Sequence, residues 1–242
     1  MQNRYTGDIG DFAKLGLLRA LQSAGLTIGV NWYLVPDESH NDDGRFTEYQ
    51  KKADYQCCDE TLCRELKRIV DTKDRRVNRL QNERVLKASF YDKPLDFSDM
   101  TKPERVTKRN SWHAKALKTL SGANLVFADP DNGLIVKSAA GSKRENKFVL
   151  PAELEAYYRQ GASVVYYQHK ARSPDQFYID QHKALLHGDG FAGAAGFGLK
   201  FCKTSQRYFF FILHPEHKAI VEKTIKDFLA SPWSAHFRVQ GE

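Results

Sequence analysis

The apolar run Asn124-Leu125-Val126-Phe127-Ala128 stops abruptly at Asp129-Pro130-Asp131-Asn132-Gly133, and this junction constrains the chain more than any other. A short run without polar alternation fits a strand covered on both faces, the kind found in parallel sheets. In an open α/β sheet, ligands bind beyond the carboxyl ends of the strands. Two carboxylates, a proline and an amide delivered there are therefore candidates for chemistry. Taken as turn residues alone, the same tetrad also ends an ordinary strand.

The rest of the chain supplies the elements such a sheet needs. Phe12, Leu15, Leu18 and Leu21 form a helical stripe closed by Gly25, with Asp11 expected as its N-cap. Residues 26–35 read as a strand ending at Pro36, and residues 37–55 as a polar loop. A basic helix is expected over 58–73 and another over 103–120, whereas 76–100 carries no clear pattern. A helical insertion spanning about 56–120 accommodates this stretch. Helices are expected at 151–160, 174–186 and 215–230. A strand over 162–167 leads into Gln168-His169, and runs over 192–202 and 207–213 form a hairpin. This order predicts a single α/β domain. It is a three-layer Rossmann-like sheet with helices on both faces and an antiparallel hairpin near the C-terminus.

At 242 residues with 41% hydrophobic content, the chain can bury one sizeable core. No apolar run reaches membrane-spanning length, and the first residues lack a signal-peptide pattern, so a cytoplasmic protein with no membrane partner is expected. Cys57, Cys58, Cys63 and Cys202 form no C-x-x-C pair and read as reduced, structural thiols. The net charge of +7 concentrates in two segments on either side of residue 100. Lys67, Arg68, Arg75, Arg76, Lys108 and Arg109, with Lys170 and Arg172 further on, are candidates for binding nucleic acid through its phosphates. The carboxylates interspersed among them leave solvated helix faces as the alternative.

Three blocks are expected to converge at one sheet edge. The first is Gly7-Asp8-Ile9-Gly10-Asp11-Phe12-Ala13-Lys14, where Gly10 allows close backbone approach and Asp8 is the better site candidate. The second, residues 36–45, carries Asp37, Glu38, His40, Asp42 and Asp43, which fits either a ligand loop or an acidic surface loop. The third is the Asp129 turn, with His169 at the end of the next strand as general base, metal ligand or polar terminus.

The Asp129-Pro130-Asp131-Asn132 turn resembles the Asp/Asn-Pro-Pro-Tyr/Phe motif of adenine- and cytosine-amino methyltransferases. There too the motif ends a buried strand of a Rossmann-like sheet. Within the class I methyltransferases the likeness is to the ribosomal RNA adenine-N6 group, over roughly residues 7–49 and 124–214. The resemblance implies S-adenosylmethionine as cofactor, Asp129 as acceptor for the target amino group with Asp131, Asn132 and His169 beside it, and Asp8, Gly10, Asp37 and Glu38 as cofactor contacts. Asp131 and Asn132 stand where the family has proline and an aromatic. No glycine-rich loop follows the first strand, which runs into Val35-Pro36-Asp37-Glu38. Two other functions fit the residues. One is a magnesium-dependent nuclease or phosphohydrolase using Asp8, Asp37, Asp129, Asp131 and His169. The other is a nucleic-acid-binding module without catalysis.

Overall fold

A computed structural model describes residues 1–38, 42–203 and 206–240. His40 of the acidic loop lies outside the described residues. The chain runs through α1 (Ile9–Ser23), β1 (Ile28–Asn31), α2 (Ala53–Gln56), α3 (Glu60–Asp71), β2 (Ala88–Tyr91) and α4 (Lys102–Thr119). It continues through β3 (Leu125–Ala128), β4 (Gly133–Leu134), β5 (Phe148–Val149), α5 (Pro151–Arg159), β6 (Ser163–His169) and α6 (Asp175–Leu186). The last elements are β7 (Ala195–Phe201), β8 (Arg207–Leu213), α7 (Pro215–Leu229) and β9 (Phe237–Gln240).

Among the described residues the central sheet has seven strands in the order β2-β1-β3-β6-β8-β7-β9. β2, β1, β3 and β6 are parallel; β8 is antiparallel to both β6 and β7, and β9 is antiparallel to β7. The fold is thus α/β and Rossmann-like, with the antiparallel hairpin where the sequence puts it. The chain leaves β1 for β2 on one side and then crosses to β3 on the other. The carboxyl ends of β1 and β3 therefore flank the point where the strand order reverses, the usual place for a ligand crevice.

Alternation along the strands divides the interior into two cores. Phe127, Val165, Phe209 and Phe211 face α1, α3 and α7, where Phe12, Leu15, Leu66 and Ile225 cover them. Val126, Val164, Tyr166 and Phe210 face the other layer and pack with Trp112, Leu154, Tyr157 and Tyr178 of α4, α5 and α6. Phe12 is fully buried, so its truncation to alanine should cost about 3–5 kcal/mol.

Within the 56–120 stretch, β2 pairs in register with β1 from Ile28–Ala88 to Asn31–Tyr91, and α4 covers the sheet. A four-residue edge strand whose neighbours are polar leaves little periodicity to read. Helix α1 starts a turn early. Asp8, not Asp11, is the N-cap and accepts from Asp11 N at 3.0 Å, while Asp11 turns inward and accepts from Gly7 N at 2.8 Å.

Candidate functional site

Beyond the carboxyl ends of β3 and β6 lies a cavity of about 210 Å³. The start of α1 contributes Asp8, Gly10 and Lys14; the turn after β3 contributes Asp129, Asp131 and Asn132. Tyr167 and His169 come from β6, and Arg207 from the start of β8. Tyr5 and Phe46 complete its aromatic wall.

Asp129 is held there by the sheet itself, since its N–H donates to Asn31 O at 2.9 Å across β1 and β3. Its Oδ2 accepts from Lys14 Nζ at 2.6 Å, and Lys14 also pairs with Asp11 Oδ1 at 3.0 Å. The Lys14 ammonium lies 5.6 Å from the centre of the Trp32 ring and 6.0 Å from that of Tyr167. All three charged groups are buried. Burial would lower the Lys14 pKa, but the Asp129 and Asp11 carboxylates outweigh it and hold the value above the ordinary lysine range. Burial moves Asp129 and Asp11 the other way for acids, upward, with Lys14 opposing it in both.

A second ammonium meets the same turn. The α-amino group of Met1 donates to Tyr33 O and Asp129 O, both at 3.1 Å, and pairs with Asp131 Oδ1 at 2.5 Å. Gln2 Nε2 donates to the other Asp131 oxygen at 2.6 Å. Burial would raise the Asp131 pKa, but the Met1 charge and these hydrogen bonds hold it below the usual carboxylate value. Asp129 thus accepts N–H groups through both its carboxylate and its carbonyl.

Gly133 closes the turn at φ +110° and Gln168 locks it. Gln168 Oε1 accepts from Leu134 N at 2.9 Å, and its Nε2 donates to Asn132 O at 3.0 Å. His169 lies half-buried beside it. Burial, then the Arg207 guanidinium, lowers its pKa, so the imidazole is neutral at pH 7 and able to accept a proton. Arg207 leans over the first turn of α1: a Cβ at Gly10 would lie 1.7 Å from its Nη1.

The expected blocks converge only in part. Asp8, Gly10, Asp129, Asp131, Asn132 and His169 line one cavity, together with Asp43 from the acidic loop. Asp37 and Glu38 lie outside its lining. Asp37 is exposed and accepts from Arg4 N at 3.2 Å, while Glu38 pairs with Lys147 and with Arg4. Both brace the N-terminal segment. Lys14 and Arg207 are the residues that sequence reasoning missed. A sign of Lys14 was present: with Asp11, it is one of two charged residues three apart in an otherwise apolar half-helix. Nothing at the head of the apolar strand β8 marks Arg207.

The basic candidates separate further. Lys67, Arg68 and Arg76 are exposed, paired with Asp71, Glu65 and Asp74 respectively. Arg75 donates to Thr6 O and Gly44 O, both at 2.7 Å, tying its segment to the cavity rim. Lys108 is half-buried, Lys170 pairs with Asp175 at 3.5 Å, and Arg172 is exposed. Arg109 is no surface cation. It is buried in a two-pronged pair with Glu153 at 2.7 and 2.8 Å and donates to Phe148 O. The helical pattern of 103–120 hides this, because α5 covers that face of α4.

The cysteines are unpaired. Among the described residues, no three His, Cys, Asp or Glu side chains gather as a metal-holding group, and no helix is long and apolar enough to cross a membrane. No protein-family model and no curated protein matches this chain.

Proposed function

We propose that the protein is a methyltransferase-like enzyme that uses S-adenosylmethionine on an exocyclic amino group of a nucleic-acid base. One observation carries this reading: Asp129, at the carboxyl end of β3, lines an aromatic-walled cavity with its carboxylate and carbonyl, each fixed by one ammonium (Lys14 and Met1) and each with acceptor capacity beyond that bond. An exocyclic amine has two N–H bonds to offer such a pair of acceptors. The sheet order, with its late antiparallel hairpin and last long helix, supports the same plan. Tyr5, Phe46 and Tyr167 supply the stacking surface that the motif lacks at Asp131 and Asn132.

Asp8, Asp43, Asp129 and Asp131 are the lining residues that would face a cationic sulfonium, with Lys14 and Arg207 in the same lining and the Arg207 guanidinium over Gly10. S-adenosylmethionine supplies the methyl group when bound. Asp129 orients the amine, so that the nitrogen lone pair faces the methyl donor. With the donor bound, the nitrogen would gain the methyl carbon as the sulfur–carbon bond breaks to leave a neutral thioether, and the His169 imidazole in the same cavity lining would take the proton the nitrogen sheds. Lys14 stays protonated and fixes the Asp129 carboxylate.

The magnesium alternative fits this arrangement less well. The Lys14 ammonium stands between Asp11 and Asp129, where a divalent cation would need open carboxylates, and Asp37 lies outside the cavity lining. Calorimetric titration with S-adenosylmethionine, followed by methyl incorporation into RNA and DNA oligonucleotides, tests the proposal. Saturable binding and incorporation that Asp129→Ala abolishes are expected. No binding at millimolar cofactor would overturn it. Oligonucleotide cleavage that stops in EDTA and returns with magnesium would replace it.

A further inference from the structure

A second concave surface lies between α3 and the 3-10 turn Val77–Leu80, lined by Arg68, Arg79 and Arg84 with one carboxylate, Glu83, and by Thr72, Asn78 and Asn82 over Ile69. It is the larger of the two spaces, at about 550 Å³. Between Glu60 and Lys87 the chain carries nine cations and five carboxylates, so this stretch holds more than half of the net +7.

The carboxylates are shared. Glu65 serves both Arg68, at 3.2 Å, and Arg84, at 4.0 Å; Asp74 serves both Arg76 and Arg79. Each acid therefore neutralises one guanidinium and leaves the charge of another. The arginine side chains are 60%, 76% and 51% exposed for Arg68, Arg84 and Arg79. Glu65 is buried beneath its two arginines and Asp74 is partly buried, so the guanidiniums keep these partners and offer their solvent-facing N–H groups to an incoming phosphate. Guanidinium forks match phosphate oxygens two at a time, which lysines do not.

The cleft is also connected to the cavity. Arg75 bonds Thr6 O and Gly44 O, Asn3 Oδ1 accepts from Val77 N at 2.8 Å, and Gly44 lines the Asp129 cavity. Val70 of α3 packs against Gly7, just before the N-cap of α1. One chain segment thus carries the arginine cleft on its outer side and braces the rim of the cavity on its inner side.

We infer that the cleft of Arg68, Arg79 and Arg84 binds consecutive backbone phosphates of a nucleic-acid strand that leads into the Asp129 cavity. The inference rests on the nucleic-acid substrate proposed above and adds where its backbone lies. The partner is a repeated phosphodiester, since Arg68 and Arg84 converge on Glu65 while Arg79 sits on Asp74, which makes two anion positions rather than one.

The test is fluorescence anisotropy of a short, labelled, mixed-sequence single strand, RNA and DNA in turn, over a series of salt concentrations. The protein is the full chain, as wild type and as the Arg79→Gln/Arg84→Gln double variant. The variant should bind about tenfold or more weakly, and its log-affinity against log-salt slope should fall by about 1.4, the single-strand value for two lost phosphate contacts. The Arg79→Lys/Arg84→Lys variant should keep most of the slope while losing part of the affinity. A thermal melt checks that both variants remain folded. Unchanged affinity and slope in the glutamine variant overturn the inference, as does complete competition by equimolar inorganic phosphate. Binding to anionic lipid vesicles but not to oligonucleotide also overturns it. Cofactor titration on the same samples separates the two proposals. Oligonucleotide loss in the variant, with no cofactor binding by wild type, keeps the cleft and removes the methyltransferase. Cofactor binding with undiminished oligonucleotide affinity does the reverse.

Discussion

Lys14 Nζ lies 2.6 Å from Asp129 Oδ2, joining the first helix to the turn after β3 with both side chains buried. Desolvating two charges costs several kcal/mol, and only close pairing offsets it. Removing one partner exposes that cost. Lys14→Met removes the cation that Asp11 and Asp129 share and should lose about 3–5 kcal/mol in urea unfolding. Asp129→Asn keeps an acceptor for Lys14 and should lose less. The double variant should recover part of the loss, with a coupling energy of about 1–3 kcal/mol. A Lys14→Met variant within about 1 kcal/mol of wild type would show that the pair does not form.

The turn itself can be probed without touching a charge. Gly133 sits at φ +110°, and a Cβ there would lie 2.2 Å from Gln168 Oε1. Gly133→Ala combines backbone strain with displacement of the side chain that ties Asn132 to Leu134. It should cost more than about 2 kcal/mol, lowering the melting temperature by several degrees. Gly122→Ala, with nothing near the added Cβ, is the matched control and should change stability little. Equal melting temperatures for the two would contradict the geometry of the turn.

The sheet was legible because its signals are local. The run to Ala128, the run into His169 and the hairpin before Leu213 are each apolar stretches bounded by turn residues, and all became strands. Strand β2 was not legible: its residues Ala88–Tyr91 are mostly half-exposed, and only pairing to β1 makes them a strand. β9, the short edge strand Phe237–Gln240, was missed for the same reason. At the site, Asp129 was read from its place after a buried strand. The roles of Lys14 and Arg207 depend on contacts 115 residues away and on the first turn of α1, which no local pattern encodes. Charge misled once: Arg109 has the surroundings of a surface helix in sequence and a buried partner in α5 in space.

That partner makes Arg109 a test of burial against charge. Glu153 accepts both prongs of the guanidinium, the Tyr33 hydroxyl at 3.1 Å and Leu150 N at 2.9 Å, so it is the hub of the α4–α5 contact. Arg109→Met strands that carboxylate and should destabilise by about 3–5 kcal/mol. Lysine cannot reproduce the fork, so Arg109→Lys should also lose stability. Oligonucleotide affinity per folded molecule should be unchanged in both, in contrast to the Arg79 and Arg84 variants. A parallel loss of affinity in anisotropy titrations would return Arg109 to the phosphate-binding surface.

Acid should loosen the opposite layer through His182. Its ring is buried against Phe210, with centroids 4.6 Å apart, and Nδ1 lies 3.1 Å from the Tyr166 hydroxyl. Burial lowers its pKa from 6.5 to about 4. Between those values the unfolded chain binds a proton that the folded chain refuses, so stability rises with pH across that window and falls on acidification. The full effect is about 3 kcal/mol. Glutamine in its place does not titrate. The free-energy gap between wild type and His182→Gln, measured by urea unfolding from pH 7 to pH 4, should therefore shift in favour of the variant as the pH drops. Curves that stay parallel over that range would mean that His182 takes up its proton as readily in the folded protein as in the unfolded chain.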